Sequence, residues 1–209
     1  RAMSRSSSPT PKIMKKWSSK EVVAQNKEYT RQRKDGEIKS METKYPKLNS
    51  CLMGGIEMDT ITCISALSGA GKSTLSKTFR DSFVEKNPDT KFKQYIFNFE
   101  MIAHQQIARS IVADAKIGLQ ELYSTQEPLS TIVDSIIYYW KTECKEQGLT
   151  MIYEIDHVKL VKGREGQRER DVIDELMSLL VDAKKYIASE GGHSIGIILS
   201  QMNREIRST

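Results

Sequence analysis

Seven consecutive residues carry the clearest chemistry in this chain: Ser68, Gly69, Ala70, Gly71, Lys72, Ser73 and Thr74. A turn built of small residues lets successive backbone N–H groups point inward, which suits a chain of phosphates. A helix opening directly behind such a turn adds a partial positive charge of roughly half a unit. The Lys72 ammonium can then reach the outer phosphates, and the Ser73 hydroxyl can bind Mg²⁺. The chemistry on offer is capture of ATP, or another nucleoside triphosphate, together with Mg²⁺. The formal phosphate-loop pattern is G-x-x-x-x-G-K-[ST]; here Ala66 stands at the first glycine position, giving A-x-x-x-x-G-K-S.

Three further polar residues complete a candidate site. Asp156 follows an apolar run and is suited to hold Mg²⁺ through water. Glu100 follows Tyr95-Ile96-Phe97 closely; a carboxylate there can take a proton from the water that attacks the γ-phosphate. Gln201 is neutral and can hydrogen-bond phosphate or water without titrating. Glu154 is a rival for the base. Strand alternation puts it on the same face as Asp156 and Ile152, two residues deeper. A carboxylate inside a buried strand must be paired or lie close to a metal.

These residues need a scaffold that brings them together, and the hydrophobic pattern supplies one. Residues 61–65 read as a buried strand with Cys63 in the core, and the helix after the turn runs on until Asn87-Pro88 stops it. Strands are expected at 91–99, 150–155 and 194–199. Helices are expected at about 103–115, at 130–146 with Ile132, Val133, Ile136, Ile137 and Trp140 on one side, and at 171–188. Strands alternating with helices mean a parallel sheet covered on both faces. Ligands then sit at the carboxyl ends of the strands, and Lys72, Glu100, Asp156 and Gln201 all fall there.

Ahead of this domain, which spans 36–209, stand a Ser/Pro-rich tail over 1–16, expected to be disordered, and a polar helix over 17–35. Ser18 and Glu21 form a capping-box pattern, and Trp17 can staple onto Val22. The net charge of +5 is unevenly placed: residues 1–35 hold ten Lys/Arg against three Asp/Glu. With Val22, Val23 and Tyr29 as its only other apolar groups, this basic helix is too polar for a core and is a candidate arm for a neighbouring subunit. No apolar run approaches a membrane span. Cys51, Cys63 and Cys144 show no metal or redox spacing, which fits reduced thiols in the cytoplasm.

Taken as a set, these segments resemble the ATPase domain of DnaB-type replicative hexameric helicases, within the RecA-like class. The carriers are the lead-in Leu48-Asn49 with Gly54-Gly55-Ile56, the loop ALSGAGKS, Phe99-Glu100-Met101, Asp156-His157-Val158-Lys159-Leu160 and Ser200-Gln201-Met202-Asn203-Arg204. Alanine at the first loop position is common in that family. The resemblance covers about residues 36–204. It implies a RecA-like P-loop NTPase in which Lys72, Ser73, Glu100, Asp156 and Gln201 do the ATPase work. It also implies single-stranded DNA as partner, a homo-oligomeric ring, likened to a hexamer, and contact with primase or a helicase loader. The helix at 17–35 stands where the family has a linker helix. Two departures are visible. The stretch between Tyr123 and Pro128 is short where the family has another strand and loop, and Thr209 stands before the channel loops and arginine finger of the family pattern. A RecA-like recombinase filament, or a nucleotide-gated scaffold with little hydrolysis, would use the same site.

Overall fold

The computed structural model describes residues 17–99, 120–123, 129–158, 161 and 166–202. The chain divides into two compact units, residues 1–37 and 38–209. In the first, α1 (Ser19–Lys34) opens on a complete capping box: the Glu21 backbone N–H donates to Ser18 Oγ at 3.3 Å, and the Ser18 N–H donates to Glu21 Oε2 at 2.8 Å. Its last turn is closed by Arg31, which pairs with Glu28, Asp35 and Glu37 at 2.7–2.9 Å. Trp17, Val22 and Val23 are 44%, 51% and 54% exposed.

Among the described residues the second unit is organised by a five-stranded, wholly parallel sheet in the order β3-β7-β6-β4-β5. Its strands are β3 (Thr60–Ala66), β4 (Phe92–Asn98), β5 (Gln120–Tyr123), β6 (Thr150–Asp156) and β7 (Ser194–Gln201). All seven residues of β6 are buried, as its central place requires. On one face lies α3 (Lys72–Lys86), whose Phe79 and Phe83 pack with Ile152, Ile195, Ile197 and Leu199. On the other lie α4 (Leu129–Tyr139) and α5 (Glu169–Ser189), which bury Ile132, Val133, Ile136, Leu176, Leu180 and Ile187 against Tyr153 and Ile155. The alternation of β6 explains the split: even positions face α3 and odd positions face α4 and α5.

Several expectations are corrected here. β3 is an edge strand, not a buried one, so Cys63 is exposed and not part of the core. β5 is a further strand, beyond the four that the hydrophobic pattern predicts. The lead-in to β3, for which the sequence pattern gives no element, holds a short helix, α2 (Pro46–Cys51), and a two-stranded ladder of β1 (Ser40–Met41) with β2 (Ile56–Glu57). Proline suits the first turn of a helix, where its missing N–H costs nothing. Asn49 ties α2 to the ladder by accepting from the Thr43 N–H at 3.0 Å and donating to the Thr43 carbonyl at 2.7 Å. Gly55, at φ 117°, lies against the Met41 backbone, where a Cβ would come within 2.2 Å of the carbonyl oxygen. After α4 the chain widens into one underwound π turn, Trp140–Cys144. The tail at 1–16 and the helix expected at about 103–115 lie outside the described residues.

Candidate functional site

The phosphate turn follows β3 and ends at Gly71, the N-cap of α3. Gly69 and Gly71 take φ of 77° and 85°, the left-handed region that residues with a Cβ avoid. Ser68, Gly69, Ala70 and Gly71 are all solvent-exposed. The first turn of α3 carries Lys72, Ser73 and Thr74 and no acidic residue, so no side chain of that turn offsets its partial positive end.

Lys72 is the exception to this exposure, at 7%. Its ammonium folds back and donates to the carbonyl oxygens of Ala66 and Leu67, each at 3.2 Å. Both carbonyls have a second donor: the Met202 N–H reaches Ala66 at 3.0 Å, and the Ala70 N–H reaches Leu67 at 3.3 Å. Parallel pairing sets Ala66 opposite Gln201. The start of the phosphate turn and the end of β7 are thus joined by register, by a backbone hydrogen bond and through the lysine.

On the α3 side of the sheet, Ser73 Oγ donates to Asp156 Oδ2 at 3.4 Å. Asp156 is 4% exposed at the end of β6. It pairs in register with Asn98 on β4, and its carbonyl accepts from the Phe99 N–H at 3.4 Å. Glu100 itself lies outside the described residues. His157 follows at φ 64°, with Nε2 3.7 Å from Asp156 Oδ1. A positive φ is strained for such a side chain, and strain of this kind clusters at functional sites. No group of three metal-ligating side chains occurs among the described residues. One hydroxyl and one carboxylate are a donor set that fits Mg²⁺, which keeps waters and takes phosphate oxygens for the rest of its shell.

Glu154 lies two residues back on the same face, 2% exposed. It accepts from Ser76 Oγ at 2.6 Å and forms an ion pair with Arg80, both on α3. The pairing that a buried carboxylate demands is met by protein alone. The partners were not singled out from sequence, although Ser73, Ser76 and Arg80 follow helical spacing and would form one stripe.

No family model matches the sequence, and no curated protein does. Solved structures do resemble the fold. One is a DnaB-like replicative helicase described with its interactions with primase: TM-score 0.68, 16% identity, over 93% of this chain. This chain spans 51% of that structure's length. Another is the KaiC-like protein PH0186 from the archaeon Pyrococcus horikoshii OT3: TM-score 0.55, 15% identity, over 79% of this chain and 71% of that one. The parallel sheet with helices on both faces, the phosphate turn at its edge strand and these structural neighbours give the second unit the fold of a RecA-like P-loop NTPase.

Proposed function

We propose that this chain carries the ATPase domain of a replicative DNA helicase of the DnaB type, coupling hydrolysis of ATP or another nucleoside triphosphate to movement along single-stranded DNA. The observation that supports it best is the convergence of Lys72, Ser73, Asp156 and the Ala66–Gln201 junction at the carboxyl ends of adjacent strands. In this reading Ser68 to Thr74 present backbone N–H groups and hydroxyls to the phosphates. Lys72 leaves the two carbonyls for the outer phosphates. Ser73 and Asp156 would hold Mg²⁺, whose charge would offset that of the phosphates. Glu100 takes the proton of the attacking water, and Gln201 reports the γ-phosphate to the segment beyond β7.

The ring, the single-stranded DNA, and primase or a loader as partners belong to this proposal. The α1 arm, with Trp17, Val22 and Val23 exposed, docks in it on the neighbouring subunit, and the assembly acts in the cytoplasm. Among the described residues no helix is long and apolar enough to cross a membrane. The test is steady-state hydrolysis with and without single-stranded DNA, for the native chain and Glu100→Gln. The native chain should turn over faster with DNA. Glu100→Gln should lose about 10² to 10⁴ in rate, the contribution of a general base, and keep its nucleotide affinity. Binding without turnover in the native chain would favour a nucleotide-gated scaffold; filaments instead of rings under the electron microscope would favour a recombinase.

A further inference from the structure

We propose that Glu154 and Arg80 are positioning residues for the Mg²⁺ pair Ser73–Asp156, an inference that rests on the nucleotide-site reading above. Helix α3 and strand β6 face each other along two rungs. The upper rung is Ser73 Oγ to Asp156 Oδ2 at 3.4 Å. The lower rung is Glu154 Oε2, which takes both Ser76 Oγ at 2.6 Å and the Arg80 guanidinium. The three helix residues sit at i, i+3 and i+7, and the two strand residues at i and i+2, so the spacing of each element puts its members on one stripe.

The lower rung lies in an apolar setting. Phe79, Phe83, Ile152, Ile197 and Leu199 form the core on this face of the sheet, and Arg80 and Glu154 are 6% and 2% exposed. A buried ion pair there is a poor way to gain stability, because a well-packed apolar pair of similar volume often does as well or better. Arg80 Nε, moreover, is buried with no hydrogen-bond partner among the described residues. What the pair adds is direction. Apolar packing is non-directional and tolerates rotation of α3 about its axis. A carboxylate held by a hydroxyl and a guanidinium from successive turns does not. With the rotation of α3 set by Glu154, Ser73 stays aimed at Asp156 before any ligand arrives. Gln94 of β4 reinforces the lock by donating its amide to the Arg80 carbonyl at 3.2 Å.

The test is equilibrium binding of a fluorescent mant-ATP, titrated with and without MgCl₂, on the native chain, Arg80→Met/Glu154→Leu, Arg80→Lys and Ser76→Ala. The double apolar variant should fold and bind metal-free mant-ATP like the native chain. The gain in affinity that MgCl₂ confers should fall by about tenfold or more, the usual cost of losing a group that orients a metal ligand. Arg80→Lys keeps a cation on the carboxylate and should recover part of that gain. Ser76→Ala, which leaves the ion pair in place, should lose less than the double variant and serves if the latter does not fold. A native-sized MgCl₂ gain in the double variant, or in Ser76→Ala should the double variant not fold, would make the network purely structural and overturn the proposal. A native chain that binds no mant-ATP would overturn the nucleotide-site reading and this proposal with it.

Discussion

Replacing Lys72 by alanine separates what the lysine does for the fold from what it does for a ligand. Lys72 is 7% exposed, and its ammonium donates to the Ala66 and Leu67 carbonyls. A buried acceptor left without a donor would cost about 1–3 kcal/mol. Neither carbonyl is left so, because the Met202 and Ala70 N–H groups remain on them. The variant also removes the desolvation of a nearly buried charge, which offsets part of the lost attraction. The net change in stability should therefore be no more than about 1 kcal/mol, the worth of a typical hydrogen bond. In a domain of this size that is a shift of roughly 2–4 °C in Tm. The nucleotide loses a charge-assisted contact worth about 1.5–3 kcal/mol, so affinity should fall roughly 10- to 150-fold at 1.4 kcal/mol per decade. Differential scanning fluorimetry with and without nucleotide reads both effects. Nucleotide should raise the native Tm and raise that of Lys72→Ala distinctly less at the same nucleotide concentration. A Tm drop of 10 °C in the free variant would mean the lysine is a fold determinant. An unchanged affinity would remove the phosphate-loop reading.

Two further outcomes follow from other parts of the chain. Deleting residues 1–34 removes the basic helix with its exposed Trp17, Val22 and Val23, and the truncated chain should sediment as a monomer; an unchanged oligomer would sink the docking arm. Burial holds the Tyr95 phenol, helped by its contact with Cys144 and the nearby Glu143 carboxylate, and the Tyr153 phenol well above the ordinary range. Because their folded values are raised, the stability they contribute is fully present below the unfolded value of about 10. It is lost as pH rises beyond that, by up to about 1.4 kcal/mol per group per pH unit. Urea titrations from pH 8 to 11 should show this fall, and a flat profile across pH 10 to 11 would refute it.

The sequence by itself determined the local pieces. The order of strand, small-residue turn and helix around Lys72 was legible because phosphate-turn chemistry is set by neighbours in the chain. So was the capping box of Ser18 and Glu21, and so was the apolar side of α4 and the π turn after it, where Ile132, Val133, Ile136 and Trp140 are buried and Ile137 is half-buried against the same core. Each depends on spacings of a few residues, where the helical and strand periods act directly. The demand that Glu154 be paired was legible too, from the cost of burying a lone charge.

Only the tertiary structure decided who meets whom. Glu154 finds Arg80 and Ser76 across 74 and 78 residues of sequence, and no local period encodes that distance. The order β3-β7-β6-β4-β5 makes β3 an edge, so a run of β-branched and apolar residues that looks buried leaves Cys63 exposed. Periodicity reports that a segment is a strand, not how many neighbours it has. The same order sets Ala66 beside Gln201 and Asn98 beside Asp156. Crossovers between parallel strands, with α3 on one face and α4 and α5 on the other, are what assemble residues far apart in sequence at one end of the sheet.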